Sequence, residues 1–151
     1  MLKNENKKAL GIDFGLKRIG LSLSDDTQTI AFPFKYIINE SLKKTVSELK
    51  EIVDGENVEL VVIGMPIGLK GKQTEISAKI DEFIKNLKEK INEGITVAVY
   101  DERFSSVQAQ KSLIEQNVKR RKRKEKIDSV ASTFILQSYL DRQKKQEEKN
   151  I

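Results

Sequence analysis

Two runs of alternating apolar residues, joined by a short turn, constrain the fold of this chain more than any other feature. Leu10 and Ile12 alternate with small residues in the first run, and in the second run, 19–24, every other residue is Ile or Leu. A period of two predicts half-buried β-strands. Gly15, between the runs, can take the positive φ that a hairpin turn demands. The sequence therefore predicts an antiparallel hairpin at the start of the fold.

Asp13 lies at the end of the first predicted strand. A carboxylate at the end of a buried strand is costly unless a partner neutralises it. A divalent metal ion is one such partner, and hydrogen bonds from the turn are the other. This stretch alone leaves both roles open.

The remaining segments predict an α/β fold. A third strand is expected over 29–37, where Pro33 favours an edge strand or a bulge, and short connections make the first three strands antiparallel. Strands separated by helices normally run parallel, which applies to the later ones. From apolar periodicity we expect helices over 40–53, 74–91, 105–114 and 126–145, and strands over 58–64 and 95–100.

The length of 151 residues fits one domain spanning 1–151, with tails at 1–7 and 142–151 that are expected to fray. The sequence has no apolar run long enough to cross a membrane and no apolar signal segment, so we expect a cytoplasmic protein. It also has no Cys and no His, which excludes thiol chemistry and the commonest general base. A metal bound here must be held mainly by oxygen ligands, which favours Mg2+ or Mn2+.

One short segment gives the chain its net charge of +5. Between 119 and 126, seven residues are basic and one is acidic. A solvated charge run is one explanation, and contact with a nucleic-acid backbone is the other. We expect 117–125 to form a mobile loop. Its candidate nucleic-acid-binding residues are Lys119, Arg120, Arg121, Lys122 and Arg123.

Four acidic residues lie where charge is costly. Asp13 ends the first strand, Asp101 and Glu102 follow the strand predicted at 95–100, and Asp128 borders the apolar stripe of the last helix. The carboxyl ends of parallel strands meet at one edge of a sheet, which would bring the strand acids together. Repulsion within such a group is relieved by cations. For Asp128 alone, a favourable interaction with the helix dipole is an equally good explanation.

A pair of hard cations among these carboxylates would activate a water molecule and stabilise the leaving oxygen of a phosphodiester. Lys17, Arg18, Arg103 and the basic loop would bind phosphates. The glycine-containing loop 64–72 is either a further phosphate contact or a simple connector. The residues alone thus predict a metal-dependent nuclease.

Four motifs resemble those of the YqgF family, whose members are described as Holliday-junction resolvases and as pre-16S ribosomal RNA nucleases. In chain order the motifs are Gly11-Ile12-Asp13-Phe14-Gly15 with Lys17-Arg18-Ile19-Gly20, then Gly64-Met65-Pro66 with Gly71, then Asp101-Glu102-Arg103-Phe104-Ser105-Ser106, and finally Asp128 with Ala131, Ile135-Leu136-Gln137 and Tyr139-Leu140-Asp141. The resemblance extends over most of the chain, from Leu10 to Asp141.

The resemblance implies a ribonuclease H-like fold: a five-stranded mixed sheet, with three antiparallel strands followed by two parallel ones, flanked by helices. It implies that Asp13, Glu102 and Asp128 are both catalytic residues and metal ligands for Mg2+ or Mn2+, with Asp101 as a supporting acid. It also implies 5′-end processing of pre-16S ribosomal RNA, with precursor RNA or a pre-ribosomal particle as the partner.

Other functions stay open at this point. A Holliday-junction resolvase would act on branched DNA and needs two symmetric sites, hence a homodimer, whereas an RNA nuclease can act as a monomer. A non-catalytic nucleic-acid-binding module would use the basic loop but would not need the acids. An actin-like or sugar-kinase-like phosphotransferase shares the Asp-Phe-Gly turn, but such enzymes bind ATP between two domains, and this chain is too short for two.

Overall fold

The structure is a computed structural model that describes residues 7–66, 75–102 and 123–149, with the backbone alone described at 123–128 and 148–149. The strands are β1 (Lys8–Phe14), β2 (Arg18–Ser24), β3 (Ala31–Ile38), β4 (Val58–Met65) and β5 (Thr96–Asp101). The helices are α1 (Leu42–Gly55), α2 (Glu75–Lys90) and α3 (Arg123–Lys149). The helix predicted over 105–114 lies outside the described residues.

The strands form one sheet in the order β3-β2-β1-β4-β5. β2 is antiparallel to both β1 and β3, whereas β4 is parallel to both β1 and β5. The predicted five-stranded mixed sheet is therefore confirmed. The carboxyl ends of β1, β4 and β5 lie at one edge of the sheet, called the carboxyl edge below, and their amino ends lie at the opposite, amino edge.

Helices α1 and α2 cover one face of the sheet. Leu10 and Ile12 of β1 pack there with Leu49 of α1 and with Ile80 and Phe83 of α2, and all five side chains are fully buried. Burying a side chain of this size stabilises the folded state by roughly 1.5–3 kcal/mol. This cluster is the larger of the two described cores, and it holds β1 rigidly in the middle of the sheet.

Helix α3 covers the other face. Its Ile135 and Leu136 form a second buried cluster with Val62 of β4 and Tyr100 of β5. The sheet is thus a middle layer between α1 and α2 on one side and α3 on the other.

The direction of α3 follows from a contact at the start of β3. The Gln137 side chain accepts a hydrogen bond from the Ala31 N–H at 2.8 Å and donates one to the Thr29 carbonyl at 2.9 Å. Because β3 runs in the same direction as β1, its start lies at the amino edge. The first turns of α3 therefore lie toward the carboxyl edge.

A polar contact fixes α3 against β2 and β1. The Ser22 hydroxyl donates to the Ser132 carbonyl at 2.9 Å and lies 3.0 Å from the Ser132 hydroxyl, and both serines are fully buried. Beside them, a Cβ atom on Gly11 would lie 2.3 Å from Ser22 Oγ and 2.8 Å from Leu136 Cβ. Only a residue without a side chain lets the helix approach this closely.

Strand β3 contains the predicted edge-strand proline. Pro33 pairs with Ser22, and the register between β2 and β3 shifts beside it, between Leu21 and Ser22. Proline cannot donate a backbone hydrogen bond, so it is tolerated at an edge or a bulge. Both features expected for Pro33 are present.

Helix α3 is longer than predicted. Residues 123–125, expected to belong to the mobile loop, form its first turn, and the helix continues through Lys149 although fraying was expected from residue 142. Arg, Lys, Glu and Gln are strong helix formers, and an exposed helix end needs no apolar periodicity. Residues 117–122 lie outside the described residues. Within the described ranges, no helix is long and apolar enough to cross a membrane.

Candidate active site

Asp13 lies near the end of β1, at the carboxyl edge. Each of the two neighbouring strands, β2 and β4, has a glycine beside it. It pairs with Gly20 of β2, and the β1–β4 register, which pairs Ile12 with Ile63, places Gly64 next to it on β4. Alternate residues of a strand share a face, and Gly11 faces α3. Asp13 therefore lies on the α3 face, between two positions that have no side chain.

Glu102 follows β5 immediately and is 3% exposed. Its Oε2 atom lies 3.2 Å from the point that a Cβ atom on Gly64 would occupy, and Ile135 Cδ1 lies 2.5 Å from the same point. The carboxylate is therefore on the α3 face, over Gly64. The structure thus brings Glu102 to the same edge of the sheet as Asp13, as parallel strands predict, with β4 between their two strands.

Asp128 lies on the first turns of α3, and only its backbone is described. It precedes Ser132 by four residues and Ile135 by seven, and both of those residues pack against the sheet. Helical spacing places Asp128 on the same side of the helix. Since α3 begins toward the carboxyl edge, the backbone position of Asp128 is compatible with its predicted role, which remains a prediction.

Asp101 lies on the opposite face from Glu102. It pairs with Met65 of β4, whose side chain belongs to the cluster beneath α1 and α2. Among the side chains that the structure describes, no three acidic groups gather into a metal-binding cluster. Asp13 and Glu102 are thus the described acids of the candidate site, and Asp101 stays the supporting acid of the prediction.

The residues present fit a hard divalent cation. Asp13 and Glu102 offer carboxylate oxygens, which Mg2+ and Mn2+ prefer, and the chain has no sulfur or imidazole ligand to compete. Because position 64 is glycine, the Glu102 carboxylate can lie over it, in space that a side chain at this position would need. A buried carboxylate attracts a cation more strongly than an exposed one because the surrounding dielectric constant is lower.

Two predicted basic residues lie at the same edge of the sheet. Lys17 is exposed in the β1–β2 turn, and Arg18 is half-buried at the start of β2. The Arg18 guanidinium carbon lies 5.2 Å from the centre of the Tyr36 ring on β3. Sequence reasoning missed Tyr36, although the alternation of β3 could have placed it on one face with Asp13 once the strand register was known.

The other predicted phosphate-binding residues fall on parts of the chain that the structure does not describe or describes by backbone alone. Arg103 and the segment Lys119–Lys122 lie outside the described residues, as do residues 67–72 of the glycine-containing loop, and only the backbone of Arg123 is described. Of that loop the structure describes the end of β4 and Pro66.

Comparison with known proteins gives consistent matches over most of the chain. A family model described as "RuvX: Holliday junction resolvase" matches residues 7–142. A protein of Sulfurihydrogenibium is 40% identical over 135 residues, which cover 89% of this chain and 90% of the relative. One of Chlorobaculum tepidum is 38% identical over 143 residues, which cover 93% and 98%. Both carry the name "Putative pre-16S rRNA nuclease".

Similar solved structures show the fold. Thermus thermophilus RuvC in complex with a Holliday junction has a TM-score of 0.57 at 16% identity, with 91% of this chain and 96% of that chain covered. The fowlpox virus Holliday junction resolvase has a TM-score of 0.53 at 19% identity, with 89% and 97% covered. The ribonuclease H-like fold implied by the motifs is confirmed. The chain therefore belongs to the RuvX family, the family that its motifs resembled under the name YqgF.

Proposed function

We propose that this protein is a divalent-metal-dependent nuclease that hydrolyses phosphodiesters in structured RNA, and that its substrate is the 5′ leader of pre-16S ribosomal RNA. Family membership supports the reaction class, and the names of the relatives support the RNA substrate. The precursor RNA, free or within a pre-ribosomal particle, is the proposed partner.

The observation that carries the proposal is the position of two carboxylates around Gly64. Glu102 lies over Gly64 on the α3 face, and Asp13 is on the adjacent strand and on the same face. A buried carboxylate and a second acid at the end of a neighbouring strand repel each other unless a cation lies nearby.

Asp13 and Glu102, together with Asp128 of α3, would hold Mg2+ or Mn2+. When bound there, divalent cations supply an activated water nucleophile and charge stabilisation for the leaving oxygen. The chain itself keeps the Glu102 carboxylate buried, in the space that glycine at position 64 provides. Lys17 and Arg18, from the adjacent turn and strand, would bind phosphates of the RNA and orient the strand over the acids.

The test is a cleavage assay on a precursor 16S ribosomal RNA 5′ leader, beside a four-way DNA junction. Both substrates are incubated with Mg2+, with Mn2+ and with a chelator. Asp13→Asn is compared with Asp26→Asn, because Asp26 is an exposed acid at the opposite edge of the sheet. The variants have the same charge change, so they separate the site from a general effect of charge.

The expected result is metal-dependent RNA cleavage that Asp13→Asn abolishes and Asp26→Asn retains. The Asp13→Asn protein should still bind the RNA, because removing a negative charge does not weaken contact with phosphates. Cleavage that survives in Asp13→Asn would remove this residue from the mechanism. Tight binding without cleavage of either substrate would identify a nucleic-acid-binding module instead.

A Holliday-junction resolvase is the second candidate, and the description of the matching family favours it. Cleaving a four-way junction symmetrically requires a pair of active sites, so a resolvase must act as a homodimer. Light scattering on the free and the junction-bound protein checks this requirement. Cleavage of the junction alone by a dimer would establish the resolvase, whereas a monomer in both states would exclude it.

A further inference from the structure

The side chain of Arg18 is held against an aromatic ring beside the candidate site. On the α3 face, Gly20 separates Asp13 of β1 from Tyr36 of β3, since the register pairs Gly20 with both. Arg18 precedes Gly20 by two residues and shares that face. Its guanidinium carbon lies 5.2 Å from the centre of the Tyr36 ring, which is within the range of a cation–π interaction.

One nitrogen of Arg18 lacks a hydrogen-bond partner. The Nη1 atom is buried and donates no hydrogen bond. Among the described side chains, no other buried nitrogen or oxygen atom lacks a hydrogen-bond partner. Unpaired burial of a charged donor is costly, and in native proteins such a group needs an explanation. Arg18 as a whole is half-buried. Since Nη1 is shielded from solvent, the solvent-exposed surface of this side chain comes from its other atoms.

This arrangement fixes the arginine before any ligand arrives. A guanidinium is a planar fork of donors that matches the oxygens of a phosphate. A side chain that is already held in place loses less conformational entropy when it binds. The cost of the unpaired Nη1 is explained if the fixed orientation serves a ligand at the accessible side of the fork.

The position of the pair indicates which ligand. Neighbouring strands are about 4.8 Å apart, so Tyr36 and Asp13 lie about two strand spacings from each other across a glycine that has no side chain. A nucleic-acid strand with one phosphate at the acids has its adjacent phosphates within reach of Arg18. The exposed Lys17 beside it adds positive charge.

We propose that Tyr36 is a positioning residue, which holds Arg18 in the orientation that binds a phosphate of the RNA strand next to the one that is cleaved. This inference rests on the proposed nuclease function. It assigns to Tyr36 a role in substrate affinity and not in the chemical step. Tyr36 acts through its ring face, so Phe should replace it and Leu should not.

The experiment measures binding of a short fluorescein-labelled single-stranded RNA by anisotropy, in chelator so that nothing is cleaved, over a series of KCl concentrations. We expect Arg18→Met to weaken binding about tenfold and to lower the salt slope by about 0.7, the value for the loss of one phosphate contact on a single strand. Tyr36→Leu should weaken binding about three- to tenfold, the cost of immobilising a free arginine, and should keep the wild-type salt slope. Tyr36→Phe should bind like the wild type.

The neighbouring pair on β3 supplies matched controls. Lys35 Nζ lies 5.2 Å from the centre of the Phe34 ring, but Lys35 pairs with Leu21, which faces α1 and α2. Lys35→Met removes the same charge as Arg18→Met, and Phe34→Leu removes an aromatic ring from the same strand. Both control variants should retain RNA affinity to within about twofold and the wild-type salt slope.

Steady-state cleavage gives a second readout that a purely structural role would not produce. Tyr36→Leu should raise KM while kcat stays at the wild-type value, because the lost contact is the same in the bound substrate and in the transition state. Thermal melting of every variant shows whether it is folded at the assay temperature.

Any one of three results would overturn the inference. The Arg18→Met protein could bind RNA as tightly as the Lys35→Met protein, or the Tyr36→Leu protein as tightly as the wild type. The third such result is a Tyr36→Phe protein that binds RNA as weakly as the Tyr36→Leu protein. A failure of the proposed function looks different. Arg18-dependent binding by a wild-type protein that cleaves neither substrate with metal would overturn the nuclease and leave the phosphate contact in place.

Discussion

The Glu102 Oε2 atom lies 3.2 Å from the point where a Cβ atom on Gly64 would lie, so this carboxylate occupies the space that a side chain at position 64 would need. The same point is 2.5 Å from Ile135 Cδ1. Position 64 therefore requires glycine because of its neighbours on the α3 face, one of which is the buried acid of the candidate site.

Replacing Gly64 by Ala should impair both stability and cleavage. The added methyl group displaces Ile135 and shifts the Glu102 carboxylate from its position over Gly64. Overpacking of this kind costs about 1–3 kcal/mol of the free energy of unfolding. We expect metal-dependent cleavage to fall at least about tenfold, in keeping with the sensitivity of catalysis to small displacements. Urea unfolding and the RNA cleavage rate measure the two effects.

The double variant Gly64→Ala/Ile135→Val separates the two effects. Shortening Ile135 removes the Cδ1 atom that lies 2.5 Å from the new methyl group, while the contact with Glu102 stays. Stability should recover in part and cleavage should not. Recovery of both would show that packing beneath α3, and not the position of the carboxylate, explains the loss.

Replacing Gly11 by Ala should be still more damaging to stability. Its Cβ atom would lie 2.3 Å from Ser22 Oγ, 2.8 Å from Leu136 Cβ and 3.0 Å from the Ser132 carbonyl oxygen. The last two atoms are fixed by the backbone of α3 and cannot rotate away. We expect a loss of about 3 kcal/mol or more, at the upper end for overpacking. Urea unfolding measures it. Gly55→Ala is the control, because nothing lies within 4 Å of a Cβ atom there; a similar loss in both variants would contradict this explanation.

The hairpin, the strand types and the meeting of acids at one edge could be predicted from the sequence. Alternation between Leu10 and Leu23 defines the first two strands, and the apolar runs that end at Gly64 and Tyr100 define the two parallel ones. Because connection lengths decide which strands run parallel, they also decide which strand ends share an edge. The arrival of Asp13 and Glu102 at the same edge follows from those signals, whereas the position of β4 between their strands does not.

Contacts between distant segments could not be predicted in this way. The space over Gly64 depends on where Ile135 packs, and the Arg18–Tyr36 contact depends on the register between β2 and β3. Neither contact can be read from the apolar periodicity of one segment. The early start of α3 was missed for a different reason, since a charged first turn shows no apolar pattern although its residues favour helix.

The Ser22–Ser132 contact predicts a non-additive pair of variants. Each serine is fully buried, and their hydroxyl groups lie 3.0 Å apart. Ser22→Ala and Ser132→Ala should each cost about 1–2 kcal/mol, because each leaves a buried hydroxyl with fewer partners. The double variant should cost less than the sum of the two single variants. Strict additivity in urea unfolding would show that the two hydroxyls do not interact.

The turn between β2 and β3 should make part of the stability depend on pH. The Asp25 carboxylate accepts hydrogen bonds from the Ile30 N–H, the Thr27 hydroxyl and the Thr29 N–H, and these lower its pKa from 3.8 to about 2. The unfolded chain therefore binds this proton more readily, so the stabilisation is fully present above the unfolded value and is lost as the pH falls from about 4 toward 2. Asp25→Asn has no such proton, so its deficit in the free energy of unfolding relative to the wild type should shrink over that range.

Thr27→Ala, which keeps the carboxylate and removes one donor, should show the same trend to a smaller extent. Urea unfolding along a pH series measures both, and a deficit of Asp25→Asn that stays constant with pH would contradict the role given to these hydrogen bonds.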